Sequence, residues 1–130
     1  MEAPIEIPIV DFSFIYQMSD NDSVYVFEVI ELFLKNVPAG LAKLEDSVRN
    51  TDNFEIIQKQ SHFLKSSANV IKVRGMFDDL VRMESLARAK TGKEEIVELL
   101  DKLLFLFNEA LPVLEAEREK NKPKKLKAKS

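Results

Sequence analysis

The chain has 130 residues, 45% of them hydrophobic, and a net charge of -3, so it suits one domain with a real core and not a wholly disordered segment. It has one histidine and no cysteine, which excludes a disulfide framework and thiolate metal sites and argues against zinc, an ion that wants several N or S ligands. Six lysines and no acid fall in the last eleven residues, which leaves the rest of the chain markedly acidic.

Residues 1–10 alternate in polarity but carry Pro4 and Pro8. They read as an extended lead-in, not as a paired strand. No basic stretch followed by an apolar one opens the chain, and no window approaches the ~20 apolar residues of a membrane span. The expectation is a cytoplasmic protein with no membrane partner.

From there the pattern is helical. Asp11 can cap a short first helix to about Met18, with Phe12, Ile15 and Tyr16 on one side. Asp20 or Asp22 starts a long second helix through Val26, Ile30, Phe33, Leu41, Leu44 and Val48, ending near Arg49. Pro38 falls inside it and predicts a kink or brief break. After the Asn50–Asn53 turn, Asp52 can cap a third helix to about Lys72. Arg74-Gly75 marks the next junction, and a fourth helix follows to about Lys90 with Met76, Leu80, Met83 and Ala87 as its inner row. Thr91-Gly92 stops it, with Gly suited to a left-handed terminus. The fifth helix runs from Lys93 to about Glu119, where Pro112 can bend it.

Four substantial amphipathic helices joined by short turns predict an all-α fold. Its simplest form is an up-down antiparallel four-helix bundle over residues 11–119, with the short first helix laid against it. A complete set of four helices suits a monomer. Residues 120–130 have no apolar period and read as a basic, disordered tail. That tail is the one feature that would attract nucleic acid, and the acidic body argues against such a partner.

The third helix carries the only histidine. At ~100° per residue, Ile57, Leu64, Ala68 and Ile71 cluster on one side, and His62 falls opposite them. Its neighbours on that outer strip are Glu55, Gln58, Lys59, Ser66 and Asn69. Phe63 and Val70 widen the apolar arc at its edge; there they complete the core, or Phe63 forms part of a docking patch beside His62. A lone histidine on a polar helix face is ordinarily just a surface residue. Ser61 and Ser67 point inward or sideways and make poor partners for a catalytic dyad.

The surrounding residues say more. The run Gln60-Ser61-His62-Phe63-Leu64-Lys65-Ser66-Ser67-Ala68-Asn69 resembles the signature of histidine phosphotransfer domains, the phosphoryl carriers of two-component phosphorelays. His62, Leu64, Lys65, Ser66, Ser67 and Ala68 match its order, and Met83-Glu84 resembles a pair found in the family's next helix. The likeness spans roughly Asp20 to Glu117. Ser66 stands where the family commonly has glycine, and Lys72 stands where it often has another.

The resemblance implies that His62 accepts a phosphoryl group. A neutral imidazole near pH 7 offers a ring nitrogen lone pair. The loose transition state of phosphoryl transfer spreads charge over three oxygens, which a cation stabilises. Lys65 is three residues on and Lys59 three before, so both flank His62 and can reach such oxygens, or stay solvated surface lysines. Ser66 is small enough to let a partner's backbone approach. With Asn69 and Phe63 it would form the docking face, or be an ordinary polar surface residue; Glu84 would accept from the other ring nitrogen and set the tautomer, or be a plain salt-bridging side chain.

The implied partners are receiver domains of response regulators, or a hybrid sensor histidine kinase. Mg²⁺ belongs to the receiver, so no cofactor is expected here. The chain shows no Gly-rich ATP loop and no kinase motif, which suits a carrier and not an enzyme. The competing expectation is a helical adaptor that binds a signalling partner without chemistry.

Overall fold

A computed structural model describes residues 8–123 and is mostly helical, in agreement with the all-α expectation. In chain order the elements are β1 (Val10–Asp11), α1 (Ser13–Met18), α2 (Ser23–Asn50), α3 (Phe54–Ala68), β2 (Lys72–Val73), α4 (Met76–Arg88) and α5 (Lys93–Lys120). The four longer helices pack in a ring, α2 and α4 each lying against both α3 and α5, with α3 and α4 the most closely associated.

The start of α2 has a local cause. Asp22 caps α2 by accepting from the Val24 and Tyr25 backbone N–H groups, which satisfies two of the donors a helix start leaves free. Val26, Ile30, Phe33, Val37, Leu41, Leu44 and Val48 recur every third or fourth residue and are all buried. That stripe holds α2 on both sides of Pro38, and the helix runs unbroken through it. Proline costs the Leu34 carbonyl its helical donor, yet packing on either side outweighs the loss. Pro112 likewise sits inside a continuous α5.

Several local expectations are corrected. Asn53, not Asp52, caps α3, its Oδ1 accepting from Ile56 N–H at 3.1 Å. Asp52 instead pairs with Lys93 at 2.8 Å. The first helix starts at Ser13 with Phe12 in the cap position. Asp11 still serves its start, accepting from the Ser13 backbone and hydroxyl at 2.9 and 2.6 Å. The left-handed residue after α4 is Lys90, while Gly92, also left-handed, caps the start of α5.

The larger correction concerns the end of α3 and the N-terminal lead-in. The helix stops at Ala68, not near Lys72, because the next residues are needed elsewhere. Ile71 and Val73 turn inward and are buried, at 0% and 3% exposure. Lys72–Val73 then pairs antiparallel with Val10–Asp11, Val10 opposite Val73, so the lead-in does end in a paired strand. Both prolines precede β1, so its ladder loses no donor to them, and Val10 is buried against the core. Residues 1–7 of the lead-in lie outside the described residues.

At the other end, Asn121 is buried and donates from Nδ2 to the Tyr16 hydroxyl, which donates in turn to Glu117 at 2.6 Å. The folded part therefore reaches past residue 119. The tail from 124 onward lies outside the described residues. Among the described residues no helix is long and apolar enough to cross a membrane.

Candidate functional site

His62 occupies the outer face of α3 as the helical period requires. Ile57, Ser61, Leu64 and Ala68 form the buried face, and the His62 side chain is 67% exposed. Burying a side chain such as Ile57 or Leu64 contributes about 1.5–3 kcal/mol, which makes the outward orientation of His62 costly to reverse.

The buried face is narrower than the sequence pattern suggests. Phe63, expected either in the core or in a docking patch beside His62, is 61% exposed and so does not complete the core, and Ile56 is exposed too. The reason lies on α2. At Gly40 the two helices come so close that a Cβ would sit 2.8 Å from Leu64 Cδ2, so Leu64 fills the gap and Phe63, ~100° around the helix, is left outside. There it lines a cleft of about 430 Å³ together with Asn36, Ala39, Gly40, Lys43, Lys59 and Gln60.

On the opposite flank, α4 brings Glu84 under His62. Glu84 sits one position beyond Met83 of the inner row, and its side chain is only 4% exposed. Its Oε2 lies 2.8 Å from His62 Nδ1 and 3.0 Å from an Arg88 guanidinium nitrogen. Its Oε1 accepts from Lys65 Nζ at 2.7 Å. Burial pushes the Glu84 carboxyl up, but the hydrogen bonds and charges of Lys65 and His62 outweigh it and hold the group below its ordinary value. It is therefore ionised at neutral pH.

That charge settles the tautomer. A carboxylate can only accept, so Nδ1 must carry the hydrogen, and a neutral ring then keeps its lone pair on Nε2, away from Glu84. The arrangement can present a fixed nitrogen nucleophile at an exposed surface, beside two cations held by one anion.

Of the residues picked out from sequence, the structure brings together His62, Lys65 and Glu84. The others stand apart from that hydrogen-bonded group. Lys59 is largely solvated and leans toward Glu55 at 3.9 Å. The Ser66 hydroxyl is turned back onto the Phe63 carbonyl at 3.0 Å. Asn69 is exposed at the end of α3, where its backbone N–H closes the last turn. Arg88 was missed. Its only sequence signal is the four-residue spacing from Glu84, which places the two on one face of a helix.

No known family, no curated protein and no solved structure matches this chain. The likeness to phosphotransfer domains therefore rests on the residues themselves.

Proposed function

We propose that this chain is a histidine phosphotransfer protein, its four long helices forming the bundle of that class and His62 its phospho-acceptor. The observation that carries the reading is the 2.8 Å contact from His62 Nδ1 to a buried, ionised Glu84 on a neighbouring helix, beneath an imidazole that is otherwise open to solvent. A surface histidine of no consequence does not need a buried carboxylate from another element to fix its tautomer.

The reaction follows from that geometry. The Nε2 lone pair attacks the phosphorus of a receiver's aspartyl phosphate. The new N–P bond forms as the P–O bond breaks, and its electron pair returns to the aspartate as a carboxylate. Nδ1 keeps its proton, so the phosphorylated ring is cationic, and the Glu84 carboxylate compensates that charge. On the return step the leaving group is a neutral imidazole, which keeps the phosphoryl group readily transferable. Lys65 supplies positive charge for the phosphoryl oxygens. The receiver supplies Mg²⁺, and this chain needs no cofactor and no ATP site. A cytoplasmic monomer meeting receiver domains or a hybrid kinase completes the proposal.

Incubation with a panel of phosphorylated receiver domains tests it, with His62→Gln as the control. Transfer of an acid-labile, base-stable label to the unaltered chain alone is the expected result. If no receiver labels it, or if His62→Gln is labelled equally, the carrier reading fails and a helical adaptor without chemistry takes its place.

A further inference from the structure

Glu84 is more heavily engaged than orienting one imidazole requires. Its two oxygens take three donors: Lys65 on Oε1, and His62 and Arg88 on Oε2. Lys65 is thus committed to Glu84 before any phosphoryl group arrives. As its ammonium turns its remaining donors toward phosphoryl oxygens on Nε2, its hold weakens on a carboxylate that is almost wholly buried. Until the N–P bond forms the ring is neutral, so a buried carboxylate that loses its lysine at that stage is strongly disfavoured and would hold Lys65 back.

Arg88 answers this difficulty. It stands one turn beyond Glu84 on α4, is anchored at 3.0 Å, and is itself 61% exposed, so its own charge remains solvated. We propose that Arg88 is a positioning residue that keeps Glu84 compensated when Lys65 moves to the phosphoryl group, so that one carboxylate trades cations while still holding His62 Nδ1–H. Arg88 acts through Glu84 and Lys65, not on phosphorus. This rests on the carrier reading and adds a distinct requirement to it.

The test uses phosphoramidate, a small phosphodonor that needs no docking surface. The Nε2–P bond forms as the P–N bond of phosphoramidate breaks, and ammonia departs with the electron pair. Labelling rates followed by ³¹P NMR are compared for the full chain, Arg88→Gln, Arg88→Lys, Lys65→Gln and the Arg88→Gln/Lys65→Gln double variant. Arg88→Gln is expected to slow labelling about tenfold, the scale of one hydrogen bond to a charged group, and Arg88→Lys to recover most of it. In the Lys65→Gln background Arg88→Gln should slow labelling by more than its own tenfold and lose the Nδ1–H preference, because no cation then compensates Glu84. The ¹⁵N spectrum of unphosphorylated Arg88→Gln should still report His62 protonated on Nδ1, since Lys65 continues to hold Glu84.

Equal rates for Arg88→Gln and the full chain overturn the inference. So do additive effects in the double variant, which would place Arg88 on the phosphoryl group itself. Failure of the unaltered chain to be labelled at His62 at all would instead remove the carrier reading.

Discussion

Two buried carboxylates on α4, five residues apart, meet very different environments. Glu84 faces α3 and has both oxygens engaged, by a histidine, a lysine and an arginine. Asp79 is nearly as buried, yet among the described residues its Oδ1 meets Lys102 of α5 at 3.3 Å and its Oδ2 has no hydrogen-bond partner. Both lie beside the inner row of the same helix, so local sequence does not separate them. What separates them is the neighbour across the interface. Asp79 adds favourable charge to the first turn of α4, a role any early acid can play. Glu84 joins two helices around an exposed imidazole.

That contrast can be broken by experiment. The largest effect is expected from Glu84→Ala, which removes the acceptor shared by three donors. Phosphoramidate labelling of His62 should fall about 10–100-fold, as for other residues that orient a reacting group. The ¹⁵N spectrum should lose its preference for Nδ1–H. Stability should change much less, because Arg88 is already half in water and Lys65 can turn to it. A folded Glu84→Ala variant that labels at the full rate would make Glu84 no more than a structural ion pair.

A smaller effect concerns acid. The folded-state pKa of Glu84 lies below its ordinary value of 4.5, so ionisation of Glu84 stabilises the fold. That contribution is complete above the unfolded value and is lost as pH falls through the folded one. Glu84→Gln should therefore flatten part of the acid limb below about pH 4.5 in urea unfolding midpoints, leaving the neutral range unaltered in slope. An unchanged acid limb would mean that the hydrogen bonds and charges of Lys65 and His62 do not outweigh the burial of Glu84.

The smallest effect belongs to Asp79→Leu. Replacing an under-satisfied buried carboxylate by an apolar side chain should leave stability within about 1 kcal/mol of the starting value. Lys102, 57% exposed, loses little when its partner goes. A loss of several kcal/mol would show that Asp79 is as deeply integrated as Glu84 and would remove the contrast.

Much of this was legible in advance where the cause is local. The Asp22 cap, the buried stripe of α2 and the inner row of α4 follow from residue type and helical period. The pairing of Val10–Asp11 with Lys72–Val73 was not, because it joins segments some sixty residues apart and no alternation in either one names the other. The exposure of Phe63 was hidden for a similar reason. Its period places it at the edge of the core, and only the approach of α2 at Gly40 decides which edge residue is covered.

At the site, helical period alone turns His62 away from the core, since its position relative to Ile57, Leu64 and Ala68 depends only on the geometry of one helix. It also places Lys65 within reach of the ring. Packing between helices is what sets Lys65 on Glu84, lets Arg88 share that carboxylate, and selects which ring nitrogen carries the hydrogen. These depend on the register in which α4 packs against α3, a relation between helices that the period of either one leaves open.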